Sequence, residues 1–91
     1  MLWCVYALQC LRKSDQKIVI YIGITNHFLK RFKAHQNGKG AQFTKVHRPF
    51  LGTILMNNLS HSEALKLERK LKKLPQKTKL GLISETLRII D

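Results

Sequence analysis

The chain reads as an α+β domain, a three-stranded antiparallel sheet flanked by helices in the order β-β-α-β-α-α. Three observations predict this. Two β-rich apolar runs are joined by a short polar stretch, a third such run follows Pro49, and helical periodicity marks the segments between and after. Ninety-one residues, 44% of them hydrophobic, suffice for one modest core, so residues 1–91 are expected to form a single domain.

Residues 2–11 are apolar with aromatic and β-branched members, Arg12-Lys13-Ser14-Asp15-Gln16-Lys17 is polar, and residues 18–24 are Ile-Val-Ile-Tyr-Ile-Gly-Ile. Two such runs about a polar loop predict a β-hairpin. Their nearly continuous apolar character predicts a sheet covered on both faces. Thr25 or Asn26 is then placed to cap a helix that Gly38 and Gly40 end, with Phe28, Leu29 and Phe32 marking its buried stripe. A basic loop containing glycine leads to Pro49, and residues 50–56 read as the third strand. Ser60-His61-Ser62-Glu63 has the form of a capping box, opening a helix with Ala64, Leu65, Leu67, Leu71 and Leu74 as its apolar positions. Pro75 ends that helix or starts the next one, about 76–85, ahead of the apolar tail Leu87-Arg88-Ile89-Ile90.

Charge narrows the function. Seventeen Lys and Arg against five Asp and Glu give +12 and a pI near 10.3, an excess that favours a polyanionic partner through counterion release from phosphates. Residues 26–48 hold six basic residues and no acid, and residues 66–79 hold seven with Glu68 as the only acid. A nucleic acid, DNA or RNA, is the expected partner. A membrane is not, because no run approaches about 20 apolar residues and no helix sets a basic face against bulky exposed apolar groups. The start, Met1 to Tyr6, lacks a basic signal-type region, so a cytoplasmic location is expected. Cys4 and Cys10 would lie roughly 20 Å apart along one strand, too far for a disulfide, and no CxxC or zinc set occurs.

The scarce acids are easily weighed. Glu63 serves the capping box, whereas Glu68 sits in an apolar arc beside Ala64, Leu65 and Leu71, within the most basic segment. One reading pairs it with Lys72 at i+4; the sharper one makes it the ligand of a divalent cation that also touches phosphate. Arg31 and His35 share a face of the first helix beside Phe28 and Phe32. There an Arg could clamp a scissile phosphate and a His could relay a proton, or both could be ordinary surface and structural residues. Tyr6 and Tyr21 lie on the hairpin strands and read singly as face residues. Gly23, two residues after Tyr21, marks a close backbone approach or a bulge.

Together these features resemble the GIY-YIG nuclease family. Tyr21-Ile22-Gly23 keeps the second half of its signature, and Cys4-Val5-Tyr6 keeps the tyrosine of the first half while replacing its glycine. Leu29-Lys30-Arg31-Phe32-Lys33-Ala34-His35 resembles the family's L-x-x-R-x-x-x-H helix, and Ala64-Leu65-Lys66-Leu67-Glu68 its A-L-x-x-E helix. The stretch from Asn37 to Thr44 and Arg48-Pro49 resemble the small stand-alone bacterial subgroup in particular. The resemblance implies hydrolysis of DNA phosphodiesters with one divalent ion, Mg²⁺ or Mn²⁺. It assigns Glu68 to the metal, Arg31 to the transition-state charge, and Tyr6 or Tyr21, in competition with His35, to the attacking water. Lys30, Lys33, Lys39, Lys45, Arg48, Lys72 and Lys73, with the backbone at Gly23, are the candidate nucleic-acid contacts. A late polar residue of the family, often Asn, falls here on Leu80.

Without an appended recognition module, selectivity for branched, flapped or end-containing DNA, or a partner protein supplying specificity, is expected, with a role in DNA repair or processing. A non-catalytic binder of structured DNA or RNA and a ribosome-associated basic protein are the competing classes. Only the endonuclease requires Tyr6, Tyr21, Arg31 and Glu68 to converge on one concave surface.

Overall fold

The computed structural model describes the backbone from Leu2 to Ile90 and the side chains through Thr86. Strands β1 (Trp3–Leu11) and β2 (Ile18–Thr25) form the predicted hairpin, and β3 (Pro49–Leu59) pairs with the other side of β1. The sheet is antiparallel throughout, in the order β2-β1-β3. Helices α1 (Phe28–Gln36), α2 (Gln42–Val46), α3 (His61–Lys72) and α4 (Gln76–Ile90) complete the fold. Among the described residues, no helix is long and apolar enough to cross a membrane.

Alternation along β1 builds two cores. Val5 and Ala7 join Ile20, Ile22, Ala64, Leu71 and Ile83 in a hydrocarbon layer beneath α3 and α4. Cys4, Tyr6, Leu8 and Cys10 point to the opposite face, where Val19, Tyr21, Phe28 and Phe32 pack on them. Burial on both faces explains why these strands read as nearly unbroken apolar runs. Both cysteines are buried and free.

Local signals set most boundaries. Ser60 Oγ accepts from the Glu63 N–H at 3.1 Å and Glu63 Oε1 accepts from the Ser60 N–H at 2.9 Å, closing the predicted capping box. Gly38, at φ +74°, ends α1 in a Schellman arrangement, with Gly38 N–H on His35 O and Lys39 N–H on Ala34 O. Pro75 directly precedes α4, its carbonyl accepting from the Lys79 N–H.

Five expectations need correction. The cap of α1 is His27, whose ring accepts from the Lys30 N–H, rather than Thr25 or Asn26. Thr25 is committed to β2 as the partner of Cys4, and its Oγ1 accepts from the His27 N–H at 3.0 Å. Leu29 is 68% exposed, because the inward stripe of α1 runs through Phe28, Phe32 and His35 and leaves position 29 turned away. The basic loop before Pro49 contains α2. The third strand spans Pro49–Leu59 rather than 50–56, and the last helix runs past 85 through the segment read as a tail, whose side chains lie outside the described residues.

Candidate active site

Strand register places the two tyrosines. Tyr6 faces Gly23 across the β1–β2 ladder and Tyr21 faces Leu8, so both phenols project from the same face on a diagonal, with ring centroids 6.5 Å apart. Gly23 is buried, and a Cβ there would overlap the Tyr6 hydroxyl. The glycine therefore makes room for the phenol. That is the close approach its position suggested, and it leaves Gly23 no surface for a nucleic-acid contact.

His35 is the last member of the α1 inward stripe and is fully buried. Its Nε2 lies 2.8 Å from Tyr6 Oη and its Nδ1 lies 2.6 Å from Thr44 Oγ1. Thr44, buried on α2, donates its single hydroxyl proton to the Ala41 carbonyl at 3.0 Å. Its oxygen must then accept from Nδ1–H, which leaves the lone pair on Nε2. Tyr6 completes the chain by donating its proton to Nε2. The Ala41 N–H, 3.5 Å from Nδ1, is too distant to compete with the Thr44 contact. The order Tyr6 O–H, His35, Thr44, Ala41 carbonyl leaves none of these groups unsatisfied, as burial requires.

Electrostatics match that order. Burial, with the positive charge of Arg31 adding to it, pulls the His35 imidazole down to about 4, so it is neutral at pH 7. Burial pushes the Tyr6 phenol up to about 12, opposed in part by the Arg31 guanidinium beside it. Arg31 thus stands next to both members of the Tyr6–His35 pair, and with Lys30, Thr25 and Asn26 it lines a hollow of about 180 Å³.

Tyr21 is half-buried, its ring 5.1 Å from that of His35 and stacked on Phe43 at 5.8 Å. Among the described residues, its hydroxyl has no protein hydrogen bond. Lys72 Nζ lies 5.9 Å from the Tyr21 ring centroid and 3.5 Å from Glu68 Oε2. The ion pair expected as one reading of Glu68 is therefore present, but it is long, and its lysine is half-exposed. It ties Glu68 to the rim of the tyrosine cluster. Among the described residues, no three His, Cys, Asp or Glu side chains group to hold a metal. A lone, partly accessible carboxylate still fits a hard cation whose other ligands are waters and substrate phosphate, and the loose lysine contact leaves its lone pairs open.

Tyr6, Tyr21, Arg31 and His35 thus share one cluster, and Glu68 joins it through Lys72. Lys33, Lys39, Lys45 and Lys73 are exposed. Arg48 is exposed too, but donates to the Gln36 carbonyl at 2.6 Å, closing the end of α1. Sequence reasoning missed Thr44 and Phe43, which bring α2 against His35 and Tyr21. Gly40 belongs with them, since a Cβ there would collide with the His35 ring. Gly38 and Gly40 just before Gln42 to Val46, and Pro49 just after it, hid so short a helix.

These parts define a class: a small α+β domain with a hydrogen-bonded phenol–imidazole pair, a guanidinium and one carboxylate in a chain of strongly basic charge. The chain belongs to the GIY-YIG catalytic domain family, whose model matches residues 2–80. It is thereby a member of a nuclease family. It is 37% identical over 79 residues to UPF0213 protein OB0043 of Oceanobacillus iheyensis, covering 87% of this chain and 86% of that one. It is 38% identical over 85 residues to UPF0213 protein H16_B0156 of Cupriavidus necator (91% and 85% covered). UPF0213 protein YazA of Bacillus subtilis is 42% identical over 65 residues (71% and 66% covered). No solved structure matches the chain.

Proposed function

We propose that the chain is a metal-dependent DNA endonuclease, selective for branched, flapped or end-containing DNA and acting in DNA repair or processing. The observation that carries this reading is the convergence of Tyr6, Tyr21, Arg31 and His35, with Glu68 held at the rim through Lys72. A surface ion pair alone would not need a buried relay beside it.

The roles follow from access. Tyr6 and His35 are shut away from solvent, so neither meets the attacking water directly. Tyr21, whose hydroxyl has no protein hydrogen bond among the described residues, orients that water. Behind it Tyr6 donates its hydroxyl proton to the neutral His35 Nε2, a hydrogen bond that holds both rings beside Tyr21. Arg31 stabilises the charge that grows on the phosphate as it becomes pentacovalent. Glu68 would hold a divalent Mg²⁺ or Mn²⁺, which supplies Lewis-acid charge at the phosphate oxygens when bound. The exposed lysines hold the flanking phosphates, and a partner protein supplies any sequence specificity.

The test is nicking of flapped, branched and plain duplex DNA, with and without Mn²⁺, by the wild type and Glu68→Ala. Metal-dependent nicking that the variant loses is expected. Equal activity in both would assign the cleavage elsewhere, and binding without nicking on every substrate would make the chain a binder that keeps the fold. Affinity should also fall steeply with salt, since several phosphates are neutralised together.

A further inference from the structure

Away from the tyrosine cluster, a groove of about 650 Å³ runs between the hairpin loop, α2 and the start of β3. Leu11, Lys13, Gln16, Lys45, Arg48 and Phe50 are among its lining residues. Among the described residues, no acid contributes to that lining. The nearest candidate, Asp15 of the hairpin loop, is already held by Arg12 at 2.6 Å and by the Lys17 N–H at 3.1 Å. Phe50 is 48% exposed and Leu11 40% exposed, which sets an aromatic face and an apolar side chain amid three cations.

The groove is built rather than incidental. Arg12 N–H to Lys17 O at 2.8 Å and Gln16 N–H to Arg12 O at 2.7 Å close the hairpin loop on itself. Lys13 N–H on His47 Nδ1 and Leu11 N–H on Arg48 O tie that loop to the α2–β3 connection. Both walls are therefore fixed by hydrogen bonds that backbone N–H groups donate. The same α2 that turns Thr44 towards His35 and Phe43 towards Tyr21 presents Gln42 and Lys45 to the groove. Groove and candidate active site thus lie on two sides of one short helix.

We infer that this groove seats an unpaired stretch of the nucleic acid, a flap or a frayed end, next to the candidate active site. The inference rests on the endonuclease reading for its placement, and on charge and an exposed aromatic for its ligand. Cations track phosphates, Phe50 offers a face on which a base stacks, and the two glutamine amides can bond base edges. A duplex offers no splayed base for Phe50, so the groove discriminates single-stranded from paired segments. That discrimination would supply a selectivity that net positive charge alone does not.

The experiment measures equilibrium binding of a labelled oligothymidine and of a plain hairpin duplex, in EDTA and on a Glu68→Ala background, so that cleavage cannot intervene. Phe50→Ala should weaken oligothymidine binding about tenfold and leave the duplex nearly unchanged, with Phe50→Trp restoring it. Lys13→Ala with Lys45→Ala should lower the slope of log affinity against log salt by about 1.4 for the single strand. Lys66→Ala with Lys77→Ala, on exposed positions of α3 and α4, should leave the ratio of single-strand to duplex affinity unchanged. Unaltered oligothymidine binding by Phe50→Ala and the Lys13/Lys45 variant, or equal losses on both ligands, would overturn the inference. Groove-dependent binding without Mn²⁺-dependent nicking would instead retain the groove and refute the endonuclease reading.

Discussion

The two faces of β1 are built by opposite rules. Towards α3 and α4 the strand presents Val5 and Ala7 to a layer of hydrocarbon with no polar partner to satisfy. Towards α1 it presents Tyr6, which is as buried as Val5 but is held by His35, itself held by Thr44. One face is stabilised by area removed from water, the other by a chain of hydrogen bonds that has to be complete. Packing should therefore decide stability on the first face, and connectivity should decide activity on the second.

The largest effect separating them is expected from Ile22→Ala. It empties a site in the hydrocarbon layer and should cost about 2–5 kcal/mol of unfolding free energy, read by denaturant titration, with turnover per folded molecule unchanged. Arg31→Ala should do the reverse, lowering turnover about 10²- to 10³-fold with the unfolding midpoint nearly unmoved and DNA affinity reduced far less. An Arg31→Ala protein that unfolds easily would mean that the guanidinium is structural. Thr44→Val keeps shape but strands the His35 Nδ1–H, costing about 1–3 kcal/mol of stability and lowering turnover together, while Thr44→Ser should restore both. If Thr44→Val is silent, the imidazole is oriented by packing alone.

The smallest effect is read with pH. The His35 pKa is depressed from 6.5 to about 4 in the folded protein, so the unfolded chain binds the proton more readily. Its contribution to stability is full above pH 6.5 and is lost as pH falls towards 4. The melting temperature should decline over that window. In His35→Gln that decline should be absent. By the same sign, activity should show no His-type limb near 6.5.

Much of this contrast was legible beforehand, for unequal reasons. The strands, the capping box and the order of elements follow from local patterns, and Glu68 stood out because acids are so few. The tyrosines took their meaning from resemblance, because a strand tyrosine looks alike whether it packs or reacts. Thr44 was invisible. Its importance arises only when α2 folds back over α1, a contact across the intervening turn that leaves no periodicity in five residues. The misplaced Leu29 has the opposite cause: an apolar residue was assigned to the stripe by type, while the inward third position went to a histidine.

The alternation along β1 also constrains how this chain can change length. Inserting or deleting one residue before Tyr6 would send its phenol into the hydrocarbon layer and Val5 or Ala7 against His35, spoiling both faces at once. Changes of two residues would keep every side chain on its own side. In an alignment of functional relatives, gaps in this strand should accordingly be confined to its ends.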